Sequence, residues 1–220
     1  MTIAMLTLTT ALGIWQVERL HWKIALLQDI DRGEAAPAVP LSAAPQPFTK
    51  VLVTGRLRQD LQVLYGVEVR SAVEGPVLGA YLLNPLERPG ADTVIVNRGW
   101  APLTWQSPAT PVDATIEGYI REPEYPVRFG AADDPAARRF YALDPAAIGA
   151  SLGLPHAAPF TVVALGTTPP GTYPEPARAL PRPPNSHLSY AITWFGLAAS
   201  LVVIFAIYAR RALRPVKEPA

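Results

Sequence analysis

Apolar residues are concentrated at the two ends of the chain, whereas short alternating runs occupy the middle. No charged side chain occurs from Met1 to Val17, and from His187 to Ala209 the histidine itself is the only acidic or basic residue. The first stretch, of 17 residues, is at the lower limit for a membrane-spanning helix, and the second, of 23, can span with some tilt. The pattern therefore predicts transmembrane helices at 1–17 and 187–209.

The first apolar segment has a second interpretation, as a cleaved signal peptide. A signal peptide begins with a basic region and ends at small residues soon after its apolar run. Here Arg19 is the first basic residue, and Trp15, Gln16 and Val17 follow the apolar run. We therefore interpret the segment as an uncleaved anchor.

Basic residues set the expected orientation of the two spans. Arg210, Arg211, Arg214 and Lys217 follow the second span directly. The positive-inside rule then puts the tail, 210–220, in the cytoplasm, or in the matrix of a mitochondrion. Two spans put the N-terminus on the same side, so the region between the spans is expected to be exported.

The middle of the chain changes from a helical to an alternating pattern. A helical extension of the first span is predicted at 18–33, followed by an Ala/Pro linker at 34–47. A β-rich domain is predicted at 48–168, and a Pro-rich spacer at 169–186 leads into the second span. The β-runs lie at 51–54, 61–69, 77–83, 93–96, 115–120, 140–143 and 160–165.

The fold class follows from these elements. Short β-runs separated by Gly and Pro are typical of a mainly antiparallel barrel or sandwich. One helix interrupts them at 144–152, where Asp144 is the expected N-cap and Pro145 stands in the first turn. We predict an α+β membrane protein in which two transmembrane helices flank a barrel- or sandwich-like exported domain.

Composition excludes several kinds of function. The chain has no cysteine and a net charge of +1. The lack of cysteine rules out disulfides, thiolate zinc sites and cysteine nucleophiles. The net charge is too small to create an electrostatic field that would attract nucleic acid. Gly149 to Gly153 matches the G-x-S-x-G nucleophile pattern around Ser151, but a helix rather than a strand precedes it and no aspartate follows it. We therefore expect a protein that is not an enzyme, with a Ser151 hydrolase as the least favoured alternative.

One histidine stands out by its position at the start of the second span. Tyr190 and Trp194 lie on the same helix face as His187. One interpretation is an aromatic anchor at the membrane surface. The other is an axial imidazole ligand to haem iron with aromatic walls beside the macrocycle, where Arg182 would pair with the propionates.

Two further sets of residues are candidates for packing or partner contact. Trp15, Arg19, Trp22 and Lys23 share a face of the first helix, which suits either interfacial anchoring or packing against the second span or a partner. Arg98, Gly99 and Trp100 end the most hydrophobic strand. The glycine predicts a turn or bulge, and the arginine is expected to hold the strand end against the membrane-proximal helix.

Three segments resemble the motifs of a known family, in family order and over nearly the whole chain. They are Leu12-Gly13-Ile14-Trp15-Gln16 with Arg19 and Trp22-Lys23, then Val96-Asn97-Arg98-Gly99-Trp100 with Pro102, and last Asn185-Ser186-His187-Leu188 with Tyr190, Thr193, Trp194 and Phe195. The chain is similar in these motifs to the Surfeit locus protein 1 family. The resemblance implies an assembly factor for haem–copper cytochrome c oxidase that assists haem a insertion into subunit I.

The resemblance also implies a set of partners and a location. His187 would be the haem a ligand and Trp194 a supporting residue. Subunit I, membrane lipid and a haem a synthase are the expected partners, and the lack of a transit peptide with the high Ala/Pro content favours a bacterial inner membrane. A haem-free scaffold that stabilises the immature oxidase subunit is the alternative to haem delivery.

Overall fold

The structure is a computed structural model that describes residues 1–72 and 75–213. The chain forms two compact units, one made of residues 1–30 together with the chain from 182 onward, and the other of residues 31–181. Two residues of the predicted basic tail, Arg214 and Lys217, lie outside the described residues.

The first unit is built from the two long helices, α1 (Thr2–Ala35) and α3 (His187–Ala212). No proline interrupts α1, which runs without a break through both predicted helical segments and past Gly33, and Pro37 follows its end. α3 begins at the predicted residue and continues three residues beyond the predicted end.

The helices differ in apolar character. Within the described part of the chain, α3 is the one helix that is long and apolar enough to cross a membrane. The apolar half of α1 contains four threonines and Gln16, which lower its hydropathy. The first predicted span, 1–17, therefore stays a prediction.

Small and polar residues form the contact between α1 and α3. Thr9, Gly13 and Gln16 are the buried residues at the start of α1, and Ala191 and Ala198 are those of α3. Small and polar residues of this kind are common where helices pack in membranes.

The second unit contains an eight-stranded sheet and one short helix, α2 (Pro145–Ser151). The strands are β1 (Val39–Pro40), β2 (Lys50–Leu57), β3 (Val63–Ala72), β4 (Gly75–Arg88), β5 (Ala91–Pro102), β6 (Val112–Arg121), β7 (Arg139–Phe140) and β8 (Ala157–Ala164). Each of the seven predicted β-runs overlaps one of them. β1 is the strand that the sequence pattern missed, because it is two residues long and lies in the predicted Ala/Pro linker.

The sheet is mixed rather than wholly antiparallel. Its order is β1-β2-β6-β8-β5-β4-β3-β7, and β2 also pairs with the end of β4 through Arg56–Glu87 and Leu57–Leu86. Strands β2, β6, β8, β5 and β4 are thereby paired in a ring. β1–β2, β3–β7 and β5–β8 are parallel, so the predicted antiparallel character is confirmed in part.

Two apolar clusters cover opposite faces of β5. Val94 and Val96 belong to the first cluster, with side chains of β2, β6 and β8. Ile95 belongs to the second cluster, with Phe140 of β7 and Ile148 of α2. Alternate residues of one strand therefore serve both cores.

The predicted helix in this unit is confirmed as α2. Asp144 is its N-cap, and the Asp144 carboxylate accepts hydrogen bonds from the amides of Ala146 and Ala147 at 3.0 and 3.3 Å. Pro145 occupies the first turn, where its missing N–H costs nothing.

The Pro-rich segment after β8 is extended and is attached to the rest of its unit. The Leu180 amide donates to Glu34 Oε2 at 2.9 Å, and Lys50 Nζ donates to the Glu34 carbonyl at 2.7 Å. A methyl group on Gly33 would lie 3.2 Å from Leu180 Cδ2. The two ends of the second unit, near residues 33 and 180, therefore lie side by side.

Candidate functional site

The first candidate site joins the opening and closing motifs. His187 Nδ1 lies 2.7 Å from Gln16 Oε1, although 171 positions separate the two residues in sequence. Gln16 is buried and His187 is partly buried. Because an amide oxygen can only accept a hydrogen bond, Nδ1 is the donor in this pair, and in the neutral form of the ring Nε2 then holds a lone pair.

This geometry suits a metal ligand. A ligating histidine usually donates its other ring N–H to an oxygen acceptor, which fixes both the tautomer and the ring orientation. Gln16 gives His187 that acceptor. Within the described residues no cluster of three or more His, Asp or Glu side chains could hold a metal ion.

The other residues predicted around His187 lie near it in sequence. Tyr190 is 54% exposed and Trp194 is partly buried, both on α3. Arg182 is exposed in the segment that precedes α3. The roles predicted for these three residues stay predictions.

The two helices also meet at a second point, where Phe195 of α3 packs against Gly13 of α1. The ring of Phe195 lies against Gly13, where a Cβ atom would meet Phe195 Cε1 at 2.7 Å. Gly13 therefore lets an aromatic ring of α3 occupy the surface of α1. This contact and the Gln16–His187 hydrogen bond lie about one turn apart on α1.

The predicted face of α1 forms a row of alternating rings and cations. Arg19 Cζ lies 5.8 Å from the centre of the Trp15 ring and 5.4 Å from that of Trp22, and Lys23 Nζ lies 5.8 Å from the Trp22 ring. Trp15 and Trp22 are 47% and 55% exposed. The rings and cations therefore form an amphipathic surface of the kind found at membrane interfaces.

The second candidate site is the central motif, which forms a β-bulge. Leu82 pairs with Gly99 and Leu83 pairs with Asn97, so Arg98 is an extra residue in β5. Gly99 has φ of +118°, and Asn97 Oδ1 accepts its amide at 3.0 Å. The bulge puts Arg98 and Trp100 on opposite faces of the sheet, whereas residues two apart in a regular strand share one face.

The role predicted for Arg98, to hold the strand end against the membrane-proximal helix, stays a prediction. The Arg98 NH1 group donates to Asn84 Oδ1 at 3.4 Å and to Ser107 Oγ at 3.5 Å. Burial lowers the pKa of the Arg98 guanidinium below its usual value.

Trp100 binds the Pro-rich segment. Its amide donates to the Glu175 carbonyl at 2.9 Å, and the Glu175 amide donates back to the Trp100 carbonyl at 2.7 Å. The Tyr173 ring meets the Trp100 ring edge-on at 5.8 Å, and Arg70 Cζ lies 4.8 Å from the indole centre. Trp100 is 2% exposed, so the segment and the arginine together cover it.

Arg70 connects the sheet to the same segment. Its guanidinium lies 2.9 Å from Glu68 Oε1 and 2.8 Å from Glu175 Oε2. Tyr81 donates to the second oxygen of Glu68 at 2.5 Å. Burial raises the pKa of the Glu68 carboxyl, but the hydrogen bonds from Arg70 and Tyr81 outweigh it, so that the pKa lies below its usual value.

A neighbouring polar group lies where β3 approaches the segment after β6. The Tyr65 hydroxyl donates to Glu124 Oε2 at 2.9 Å, and the other Glu124 oxygen accepts from Arg121. Burial raises the pKa of Tyr65 to about 12, and the hydrogen bond to Glu124 adds to this effect while Arg121 opposes it.

Sequence analysis missed several residues around these sites. Asn84, Glu68, Arg70 and Glu175 come from segments in which no motif stands out. Alternation of Glu68 and Arg70 along a strand is a weak signal, because solvated strand faces carry the same pattern. Ser151 donates to the Ile148 carbonyl at 2.7 Å, as a serine near a helix end commonly does.

Comparison with known proteins gives a consistent result. A model described as the SURF1 family matches residues 3–199 of the chain. The chain is 30% identical over 215 residues to Surfeit locus protein 1 of Homo sapiens, with 86% of this chain and 70% of that protein covered. It is 29% identical over 219 residues to a SURF1-like protein of Rickettsia felis, with 94% of each covered, and 28% identical over 224 residues to a SURF1-like protein of Monosiga brevicollis, with 92% and 84% covered.

Proposed function

Because this chain belongs to the SURF1 family, we propose that it is a non-enzymatic assembly factor for a haem–copper cytochrome c oxidase. In this role it receives haem a in the membrane, holds it through His187 and passes it to oxidase subunit I. A haem a synthase is the proposed donor. α3 crosses a bacterial inner membrane, α1 supplies a second crossing, both termini are cytoplasmic, and residues 31–181 are exported.

The observation that carries the proposal is the hydrogen bond between His187 Nδ1 and Gln16 Oε1, 2.7 Å long. Gln16 keeps the imidazole in the tautomer whose Nε2 can bind a metal, and it holds the plane of the ring. The site therefore presents one oriented nitrogen ligand at the start of a membrane helix. Haem a is cargo here, and its iron offers the axial position that such a nitrogen occupies.

Residues around His187 serve the apolar and acidic parts of the cargo. Tyr190 and Trp194 would lie along the macrocycle, and Arg182 would pair with propionates at the membrane surface. No bond of haem a needs to be broken in a transfer of this kind, so the protein needs no acid–base pair. Transfer requires only that subunit I supply a better ligand set than one imidazole.

A scaffold without haem is the second candidate function. The same hydrogen bond also joins α1 to α3, and Gly13 and Phe195 form a second contact between these helices. A rigid pair of helices could bind an immature membrane subunit through its exposed apolar side chains, such as Val203 and Ile204, which are 57% and 63% exposed. In that case Gln16 and His187 would act as a helix clamp.

Optical spectra of the purified protein test haem binding. The full chain is co-expressed with haem a synthesis and purified in detergent, beside His187→Ala, Gln16→Leu and His156→Ala. We expect a haem a Soret band in the parent, its loss in His187→Ala, and about 10- to 100-fold weaker binding in Gln16→Leu, because loss of the partner of a ligating histidine typically costs that much. His156 is exposed and lies in the other unit, so His156→Ala is the matched control and keeps the band.

Oxidase assembly in cells separates the two functions. Each variant is expressed in a strain that lacks the parent protein, and oxidase activity is measured. Haem delivery predicts that activity and the Soret band are lost together in His187→Ala. A protein that shows no haem band and still restores oxidase activity supports the scaffold instead.

A further inference from the structure

Arg98 extends an apolar row of β5 to the end of the ring of strands. Val94 and Val96 point into the first apolar cluster, and Arg98 is the next residue on that face. On the adjacent strand, Leu86 belongs to the same cluster and Asn84, two residues away, accepts the hydrogen bond from Arg98. The Arg98 guanidinium, a permanent cation, therefore lies where the core-facing rows of β4 and β5 end.

The guanidinium uses few of its donors. NH1 makes two hydrogen bonds, at 3.4 and 3.5 Å, to the neutral groups of Asn84 and Ser107. Within the described ranges, Nε and NH2 of Arg98 make none and no carboxylate forms an ion pair with this residue. Arg58 and Arg70 differ, because each lies within 2.9 Å of two carboxylates.

A partly buried cation of this kind is unusual. Removing a charge from water is unfavourable unless an opposite charge compensates it, so buried arginines are normally paired. Burial lowers the pKa of Arg98, in agreement with a guanidinium that lacks such compensation. The bulge and its Asn97–Gly99 hydrogen bond hold the residue in place, and bulges often aim a side chain at a functional site.

We propose that Nε and NH2 of Arg98 bind a carboxylate or phosphate oxyanion at this end of the ring of strands. These two N–H groups form the planar fork that grips two oxygens of one acid group. The Ser107 hydroxyl, which accepts from NH1, can donate its own proton to the same anion. The end of a closed set of strands is a common location for small-molecule sites. This site is separate from His187 and does not depend on haem binding.

The unfolding temperature of the full chain tests the proposal. The protein in uncharged detergent is heated at constant ionic strength in chloride, inorganic phosphate or acetate, and in micelles that contain phosphatidylglycerol. A ligand that binds the folded state at about ten times its Kd should raise the unfolding temperature by about 3–6 °C. The probe that gives the rise identifies the source as free phosphate, a carboxylate or a lipid headgroup.

Three variants assign the effect to Arg98. Arg98→Gln should abolish the rise, and Arg98→Lys should lose most of it because an ammonium keeps the charge without the fork. Arg56→Gln removes an exposed cation from β2 and should leave the rise unchanged. In chloride alone, Arg98→Gln should unfold at the same temperature as the parent or higher, since it removes an uncompensated charge.

Two results would overturn the proposal. The first is a parent protein whose unfolding temperature responds to none of the three probes beyond chloride. The second is a rise that persists in Arg98→Gln. If Arg98→Gln does not fold, the comparison between Arg98→Lys and Arg56→Gln decides, because a rise of equal size in both excludes the fork.

Discussion

The local structure at Gly99 leaves no room for a side chain. Its φ of +118° is one that side-chain-bearing residues rarely adopt. A Cβ atom there would also lie 1.9 Å from the Glu175 carbonyl oxygen. The φ belongs to the bulge in β5, and the close approach comes from the Pro-rich segment that lies against it.

Replacement of this glycine tests that explanation. Gly99→Ala should lower the free energy of unfolding by about 3 kcal/mol, because backbone strain and a collision with the Glu175 backbone act together. Gly90→Ala is the matched control, since Gly90 has φ of +71° in open space and should lose only about 1 kcal/mol. Denaturant unfolding measures both, and equal losses would contradict the role given to Glu175.

Tyr65 gives a prediction for alkaline pH. Its pKa of about 12 exceeds the unfolded value of 10.0, so the folded state keeps the proton longer. The stability that this contributes is complete below pH 10 and is lost as pH rises toward 12. In Tyr65→Phe that loss is absent, so the stability difference between parent and variant should shrink by about 1 kcal/mol between pH 8 and pH 11.

The control for this measurement is another tyrosine. Tyr125 is 69% exposed, and Tyr125→Phe should leave the pH dependence of the parent unchanged. Urea unfolding at a series of pH values gives the free energies. A constant difference between parent and Tyr65→Phe from pH 8 to pH 11 would show that burial does not hold the Tyr65 proton.

Among the elements, α2 is the one whose boundaries local sequence determines. Asp144→Ala removes two hydrogen bonds to the first-turn amides and should cost about 1 kcal/mol of stability. Asp113→Ala, at an exposed position of β6, removes a carboxylate that does not cap a helix. Its free energy of unfolding should stay within about 0.5 kcal/mol of that of the parent. Thermal unfolding compares the two, and similar effects would mean that the cap is not a source of stability.

Pattern predicts those elements that short stretches of chain determine. Alternating residues located the longer strands, and Asp144-Pro145 located α2, because each signal is local. β1 has no such signal, since two residues cannot show a period. The parallel pairing of β5 with β8 also has none, because nothing in either strand records which partner the chain will bring beside it.

The candidate sites show the same limit. Sequence motifs pointed to Gln16, His187 and Trp100, but not to the pairs that they form. Gln16 reaches His187 across 171 positions, and Trp100 meets Glu175 through an isolated bridge in a proline-rich stretch. Such contacts depend on the completed fold, so a single sequence gives the members of a site more readily than their partners.

For the whole molecule, the main prediction concerns topology. The chain has no cysteine, so one introduced thiol is the only site for a maleimide. Gly130→Cys, in an exposed loop of the second unit, should react with a membrane-impermeant maleimide in intact cells. Leu213→Cys, 82% exposed at the end of α3, should react only after the membrane is permeabilised. Labelling of both in intact cells would contradict an exported domain with a cytoplasmic C-terminus.

The adjacent ends of residues 31–181 have a consequence for how this gene can change. The Leu180 amide and the Glu34 carboxylate join the point where the chain enters this unit to the point where it leaves. A module with neighbouring ends behaves as an insertion in a helical hairpin, and insertions of this type can be lengthened, exchanged or deleted without stretching their host. A descendant in which a short turn replaced the module would still encode Gln16 and His187 on its two helices. The Gln16–His187 pair and the sheet are therefore free to evolve at separate rates.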